Sequence, residues 1–186
     1  MRHSGRENDE IRQIEIIPNF NPYAEGSCLI KCGNTHVVCT VSMEEKVPAW
    51  LRGQNRGWIT AEYGMLPRAT QVRVPRELKK PSGRTQEIQR LIGRSLRAVV
   101  DLTKMKDISL CVDCDVIQAD GGTRTASITG GFVALSLAMD KLLAMKKIKE
   151  NPIKEHVAAV SCAIHEGCKV ADVDYIEDSN AQADMN

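Results

Sequence analysis

The sequence predicts an α+β fold, in which helices pack on a mixed β-sheet. Two apolar segments rich in β-branched residues lie within residues 25–42 and flank Gly33-Asn34, which is the pattern of a β-hairpin. From Ile88 to Val100, apolar residues recur every three or four positions and predict an amphipathic helix. An apolar run over residues 108–118 then leads into a long apolar helical pattern over residues 123–147.

The remaining strands follow from the alternation of apolar and polar residues. Such alternation predicts a first strand over residues 11–17, and residues 57–64 resume an extended pattern after a loop. Beyond the long helix, further strands are predicted over residues 157–164 and 169–176. Strands therefore precede, separate and follow the two helices.

Length and composition limit the class of protein. With 186 residues the chain can form a sizeable core, and we expect a single domain over residues 1–186. The 25 Lys and Arg residues nearly balance the 24 Asp and Glu residues, so a nucleic-acid surface has to be a local patch. Seven cysteines at irregular spacing favour a reducing cytoplasm over a disulfide framework. No signal peptide is apparent and no apolar run approaches a membrane span, which predicts a cytoplasmic protein without a membrane partner.

The turn before the long helix has the composition of an anion site. Gly121 and Gly122 allow the backbone to turn tightly and to approach a ligand without an intervening Cβ. The helix that follows begins with unpaired N–H groups, and Arg124 adds a cation that can bind phosphate through two parallel hydrogen bonds. The alternative is a simple tight turn with Thr123 as the N-cap and Arg124 in solvent.

Arg84 indicates a second place for an anion. It lies at the start of the first predicted helix, where a basic side chain opposes the helix dipole and is poorly placed for helix stability alone. A bound anion would remove that conflict.

Two basic segments are candidates for contact with a polyanion. Residues 67–81 lack apolar periodicity and form a predicted long loop, a kind of segment that is disproportionately functional. Its cations are Arg68, Arg73, Arg76, Lys79 and Lys80. Arg2 and Arg6 of the N-terminal arm are further cations that an extended arm would supply to a site. The alternatives are a merely solvated loop and a frayed terminus.

An acidic segment near the C-terminus predicts a metal site. Its carboxylates are Asp172, Asp174, Glu177, Asp178 and Asp184, and the first two share a face of the last predicted strand. Carboxylates beside an apolar strand are costly unless water or a cation neutralises them. Oxygen-only ligands suit Mg²⁺ or Mn²⁺, whereas the alternative is a plain exposed acidic segment.

The two basic helix starts, the basic loop and the carboxylates indicate three ligands: phosphate, a polyanion and a hard metal ion. These ligands form one coherent set. The characteristic segments are R-H-S-G-R at residues 2–6, G-W-I-T-A-E-Y-G-M-L-P-R at 57–68, G-R-T-Q-E-I-Q-R-L-I-G-R-S-L-R at 83–97, C-D-V-I-Q-A-D-G-G-T-R-T-A-S-I-T at 114–129 and Y-I-E-D-S-N-A-Q-A-D-M-N at 175–186. In these segments the chain closely resembles the ribonuclease PH family of phosphate-dependent 3′-to-5′ exoribonucleases, which trim tRNA 3′ ends.

The resemblance implies a fold, an assembly and a reaction. The implied fold is of the ribosomal protein S5 domain 2 type, and the implied assembly is a homohexameric ring built as a trimer of dimers. In the implied reaction, inorganic phosphate attacks the last phosphodiester of a tRNA precursor or another RNA 3′ end and releases a nucleoside diphosphate. The family's pattern assigns phosphate binding to Arg84, Gly122, Thr123 and Arg124, RNA binding to Arg68, Arg73 and Arg76, and catalysis with a divalent metal, Mg²⁺ or Mn²⁺, to Asp178 and Asp184.

The family's pattern continues beyond Asn186 with a further strand and a C-terminal helix, so we expect this chain to be truncated relative to the family. The alternative to an active exoribonuclease is therefore a non-catalytic RNA-binding or ring-forming subunit, or an inactive truncated copy. A third hypothesis is a hydrolytic nuclease that uses carboxylates and metal alone, which Arg84 and Arg124 argue against.

Overall fold

The computed structural model describes residues 2–78 and 80–186, which form a large sheet, a small sheet and the helices packed on them. The elements are β1 (Ile14–Pro18), β2 (Gly26–Cys32), β3 (Thr35–Glu44), β4 (Trp58–Met65), α1 (Gly83–Ala98), β5 (Ser109–Gln118), α2 (Thr123–Ala144), β6 (Cys162–His165), β7 (Cys168–Ala171), α3 (Tyr175–Ser179) and β8 (Ala183–Met185). Lys79, one of the cations expected in the basic loop, lies outside the described residues.

The large sheet is mixed, as the sequence predicts. Its strand order is β1-β2-β3-β5-β4; β4 and β5 run parallel, whereas the other neighbouring pairs are antiparallel. Gly33 has φ +54° at the tip of the β2–β3 hairpin, a conformation that glycine adopts without strain. α1 connects the two parallel strands, because such a pair needs a crossover rather than a tight turn.

The two long helices bury their apolar sides against this sheet. Ser82 caps α1 by accepting a hydrogen bond from the Thr85 N–H, and Ile88, Ile92 and Leu96 of the same helix are fully buried. Position 26 in β2 has to be glycine, since a Cβ there would lie 2.1 Å from the Ala134 carbonyl oxygen of α2. The predicted helices and the predicted mixed sheet are thus both confirmed.

α2 differs from one expectation. By length and composition it is apolar enough to cross a membrane, although the sequence suggested that no run approaches such a span. Of its most apolar window, however, 61% is buried inside the protein, and Leu135, Met139 and Leu142 have no exposed surface. The helix therefore packs as the core helix of a globular protein does.

The C-terminal strands are shorter than predicted. The strand expected over residues 157–164 is formed at β6, and the alternation over residues 169–176 is divided between β7 and α3. The chain leaves the strand geometry at Asp172, which has φ +49°. Asp174 then begins α3 in a capping box with Glu177, so a helix replaces the end of the expected strand.

β8 fixes the backbone around the last acidic residue. The small sheet has the order β7-β6-β8, and Asp184 in β8 lies opposite Ala163 in β6. The strand directs this part of the chain back towards the N-terminal end of α2.

Candidate active site

A cavity of about 250 Å³ lies at the N-terminal end of α2. Its lining includes all the expected phosphate-binding residues, Arg84, Gly122, Thr123 and Arg124, and both expected metal ligands, Asp178 and Asp184. They come from α1, from α2 and the turn before it, from α3 and from β8. The fold thus brings together residues that are up to 100 positions apart in the sequence.

The glycine turn before α2 is fixed by the C-terminal region. Gly121 has φ +73°, and a Cβ at this position would lie 2.6 Å from backbone atoms of Asp174. Gly122 is left-handed and is the N-cap of α2, so the alternative in which Thr123 is the cap is wrong. No described side chain caps this helix end, and the N–H groups of its first turn therefore remain donors for an anion.

The hydroxyl groups of the turn already have partners within the protein. Thr123 Oγ1 lies 2.9 Å from the Tyr63 hydroxyl, and Thr125 Oγ1 donates to the Gly122 carbonyl at 2.9 Å. Burial raises the pKa of Tyr63 more than the hydrogen bond to Thr123 lowers it, so the phenol keeps its proton. The group of Thr123 best placed to meet an anion is therefore its backbone N–H.

Two guanidinium groups supply positive charge to the cavity. Arg124 Nη1 lies 3.1 Å from a carboxylate oxygen of Glu87 in α1, and the Arg124 side chain is 20% exposed. The alternative in which Arg124 points into solvent is therefore wrong. Arg84 lies in the first turn of α1 and lines the same cavity, next to the start of α2.

Asp178 and Asp184 form the acidic side of the cavity. Partial burial and the negative charge of Asp184 raise the pKa of Asp178. The charges of Arg84 and Arg124 act in the opposite direction, which means that the two carboxylates and the two guanidinium groups lie within electrostatic reach of each other. Two carboxylates that repel one another, with oxygen as their only donor atom, suit a hard divalent cation such as Mg²⁺.

The other three carboxylates of the acidic segment are paired with the N-terminal arm. Arg2 donates to both carboxylate oxygens of Glu177 at 2.7 Å, and both side chains are almost completely buried. Arg6 lies within 3.8 Å of Asp172, Asp174 and Glu177. The arm is thus an ordered part of the fold rather than a frayed terminus, and only part of the acidic segment is left for a metal.

His3, Asp174 and Glu177 also have the spacing of metal ligands, since one ligand atom from each lies within 4.8 Å of the others. However, Arg2 and Arg6 already form ion pairs with the carboxylates of Glu177 and Asp174. His3 Nε2 lies 2.8 Å from an Asp174 oxygen, and this hydrogen bond raises the pKa of the imidazole. The group is therefore an ion-pair cluster.

Arg12 connects the acidic segment to the glycine turn, a role that sequence reasoning missed. Its Nε and Nη2 donate to the two carboxylate oxygens of Asp172 at 2.9 and 2.6 Å, and Nη1 donates to the Asp120 carbonyl at 2.6 Å. Burial raises the pKa of Asp172, but the hydrogen bonds and charge of Arg12 outweigh burial and hold that pKa below its usual value. The one signal in the sequence was a basic residue within the first predicted strand, over residues 11–17.

The expected RNA-binding arginines are placed differently from one another. Arg68 lines a second cavity of about 720 Å³, which shares Thr70, Ala119 and Tyr175 with the first cavity. Arg73 and Arg76 are exposed on the loop and line neither cavity. The structure therefore brings Arg68 next to the site and leaves the other two outside both cavities.

Comparisons with known proteins show which family the chain is similar to. Residues 10–139 match the family described as the 3′ exoribonuclease family, domain 1. The chain is 59% identical, over 183 residues, to the ribonuclease PH of Neisseria meningitidis serogroup C, a match that covers 97% of this chain and 76% of that protein. The ribonuclease PH of serogroup B of the same species gives the same identity and coverage.

Solved structures give the same picture at lower identity. The Archaeoglobus fulgidus exosome with RNA bound to the active site has a chain that superposes with a TM-score of 0.81. The two chains are 27% identical, and the match covers 98% of this chain and 74% of the other. The similarity extends over nearly all the elements described above.

Proposed function

Because the chain belongs to the ribonuclease PH family, and so to the phosphorolytic 3′ exoribonucleases, we propose that the cavity at the start of α2 is where its phosphorolysis takes place. An oxygen of inorganic phosphate attacks the phosphorus of the last phosphodiester. The bond from that phosphorus to the 3′ oxygen of the shortened RNA breaks, and the 3′ oxygen takes up a proton. The products are a nucleoside diphosphate and an RNA that is one nucleotide shorter.

Arg84, Gly122, Thr123 and Arg124 are proposed to bind the attacking phosphate. The backbone N–H groups at the start of α2 are aligned with the positive end of the helix dipole. The two guanidinium groups offset the repulsion between the phosphate and the RNA phosphodiester, which is the main electrostatic obstacle to this reaction. The pKa of Asp178 is raised by burial and by Asp184, but the charges of both arginines act against that rise, which supports the view that their charge reaches the reacting centre.

Asp178 and Asp184 are proposed to hold a divalent metal, Mg²⁺ or Mn²⁺, and to assist the leaving group. Their oxygen donors fit such an ion, and in the described part of the chain they are not paired with an arginine as the other acidic residues are. When bound, the ion supplies positive charge to the oxygen that leaves.

The RNA is proposed to reach the cavity along the basic loop, with Arg68, Arg73 and Arg76 contacting its backbone. Such contacts position a strand without reading its sequence. We also propose that tRNA precursors are among the substrates and that residues 1–186 act as one domain. The chain is further proposed to assemble into a homohexamer of the family type and to work in the cytoplasm.

The observation that carries this proposal is the single cavity in which the two arginines, the helix start and the two carboxylates meet. The decisive experiment is product analysis of a 3′-labelled RNA with and without inorganic phosphate. We expect nucleoside diphosphates that appear only with phosphate. Nucleoside monophosphates that appear without phosphate indicate a hydrolytic nuclease, and RNA binding without either product indicates a non-catalytic subunit.

A further inference from the structure

Tyr175 lies where the two cavities meet. It is the first residue of α3, it lines both cavities, and 60% of its surface is exposed. Its backbone N–H donates to an Asp120 carboxylate oxygen at 3.2 Å, which fixes the position from which the side chain projects. Among the described residues that line either cavity, Tyr175 is the one aromatic side chain.

Packing within the protein does not account for this ring. The fully buried and half-buried residues around α3 form their own small core from Ala163, Val170, Val173 and Ala181. The Tyr175 hydroxyl has no hydrogen-bond partner among residues 2–78 and 80–186. A large, exposed aromatic ring at the junction of the two cavities is therefore available to a ligand.

We propose that the Tyr175 ring stacks on one of the two RNA bases that flank the scissile bond. This inference rests on the proposed function, which places the reacting phosphodiester in the smaller cavity. Arg68 lies in the lining of the larger cavity, where it can meet the backbone of the same strand. Stacking suits an enzyme that removes successive nucleotides, because every base has a π-face and none is excluded by hydrogen-bond pattern.

The test measures RNA affinity without turnover, in the absence of phosphate and with a chelator present. Wild type, Tyr175→Ala and Tyr175→Phe are compared by fluorescence anisotropy on a short single-stranded RNA. Tyr23→Ala is the matched control, since Tyr23 is 91% exposed and lines neither cavity. The affinity of each protein is also measured for three RNAs that each carry one abasic nucleotide. The abasic nucleotide lies at the last position, at the position before it, or five nucleotides from the 3′ end.

We expect Tyr175→Ala to weaken binding of the intact RNA by about 5- to 100-fold, and Tyr175→Phe and Tyr23→Ala to change it less than about twofold. With the abasic nucleotide at one of the two flanking positions, the loss caused by Tyr175→Ala should fall below about twofold. The same loss with all three abasic RNAs, or no loss at all, overturns the stacking proposal alone. A wild-type chain that binds no RNA contradicts the proposed function as well.

Discussion

At the scale of single residues, the cavity combines charges of both signs within a small volume. In the proposed reaction, Arg84 and Arg124 offset the repulsion between two approaching anions, whereas Asp178 and Asp184 repel those same anions unless a cation lies between them. Neutralising the arginines is therefore expected to affect a different step from neutralising the carboxylates. The difference distinguishes a role in phosphate binding from a role in metal binding.

Arg124→Ala should raise the KM for phosphate by about 10- to 100-fold, because a charge-assisted hydrogen bond to the anion is lost. RNA affinity should change much less, since the side chain lies at the helix start rather than on the basic loop. Glu87→Gln is the control: the Glu87 carboxylate is 51% exposed, and such a pair contributes little, so the KM should change less than about fivefold. Steady-state kinetics at varied phosphate concentration measure the KM of both variants. Equal losses of RNA affinity and phosphate affinity would contradict the assignment.

Asp178→Asn should abolish turnover and leave RNA binding intact, because a neutral amide is a poor substitute for a carboxylate in holding Mg²⁺. A gel shift reads RNA binding and diphosphate release reads turnover. Asp140→Asn, which removes an exposed carboxylate from α2, should leave both unchanged. Full activity of wild type in a chelator would refute the metal role.

At the scale of elements, Arg12 connects the acidic segment to the glycine turn. The Arg12–Asp172 pair has side chains that are 8% and 10% exposed, and removal of one partner leaves a buried charge without its counterion. Arg12→Ala should therefore lower the free energy of unfolding by about 3–5 kcal/mol. Lys31→Ala, which breaks the more exposed pair with Glu15, should cost less than about 1 kcal/mol. Denaturant unfolding measures both variants.

The same pair predicts how stability depends on pH. The pKa of Asp172 is lower in the folded protein than its ordinary value of 3.8. A depressed folded-state pKa gives stability that is fully present above the unfolded value and is lost as the pH falls through the folded one. Unfolding midpoints measured from pH 6 to pH 3 should therefore fall in the acid range, and less steeply for Asp172→Asn. Parallel curves for the two proteins would show that Asp172 is not responsible.

The sequence predicted best those elements that are determined by residues close together in the chain. Periodicity marked α1 and α2, and the glycine pair marked the turn, because each pattern acts within a few residues. The end of the last predicted strand was wrong because the capping box of Asp174 and Glu177 outweighed the alternation. The pairing of Arg2 with Glu177 spans 175 positions and leaves no periodic trace in the sequence, so only the folded chain reveals it.

At the scale of the whole molecule, a chain of net charge +1 has to attract RNA through a local surface. The basic loop is the candidate, because Arg68 lines the cavity beside the proposed active site, and Arg73 and Arg76 are exposed farther along the same loop. Contacts with phosphates release counterions, so the logarithm of RNA affinity falls linearly with the logarithm of salt concentration.

Neutralising Arg68, Arg73 and Arg76 together to Gln should reduce the slope of that salt dependence by about 2, at about 0.7 per phosphate contact on a single strand. The matched control neutralises Lys46, Lys106 and Lys149, three exposed lysines outside the loop, and so gives a protein of the same net charge. If position rather than net charge matters, the control keeps the slope of wild type. Equal slopes for the two triple variants would mean that the loop is only solvated and that RNA approaches the cavity over another surface.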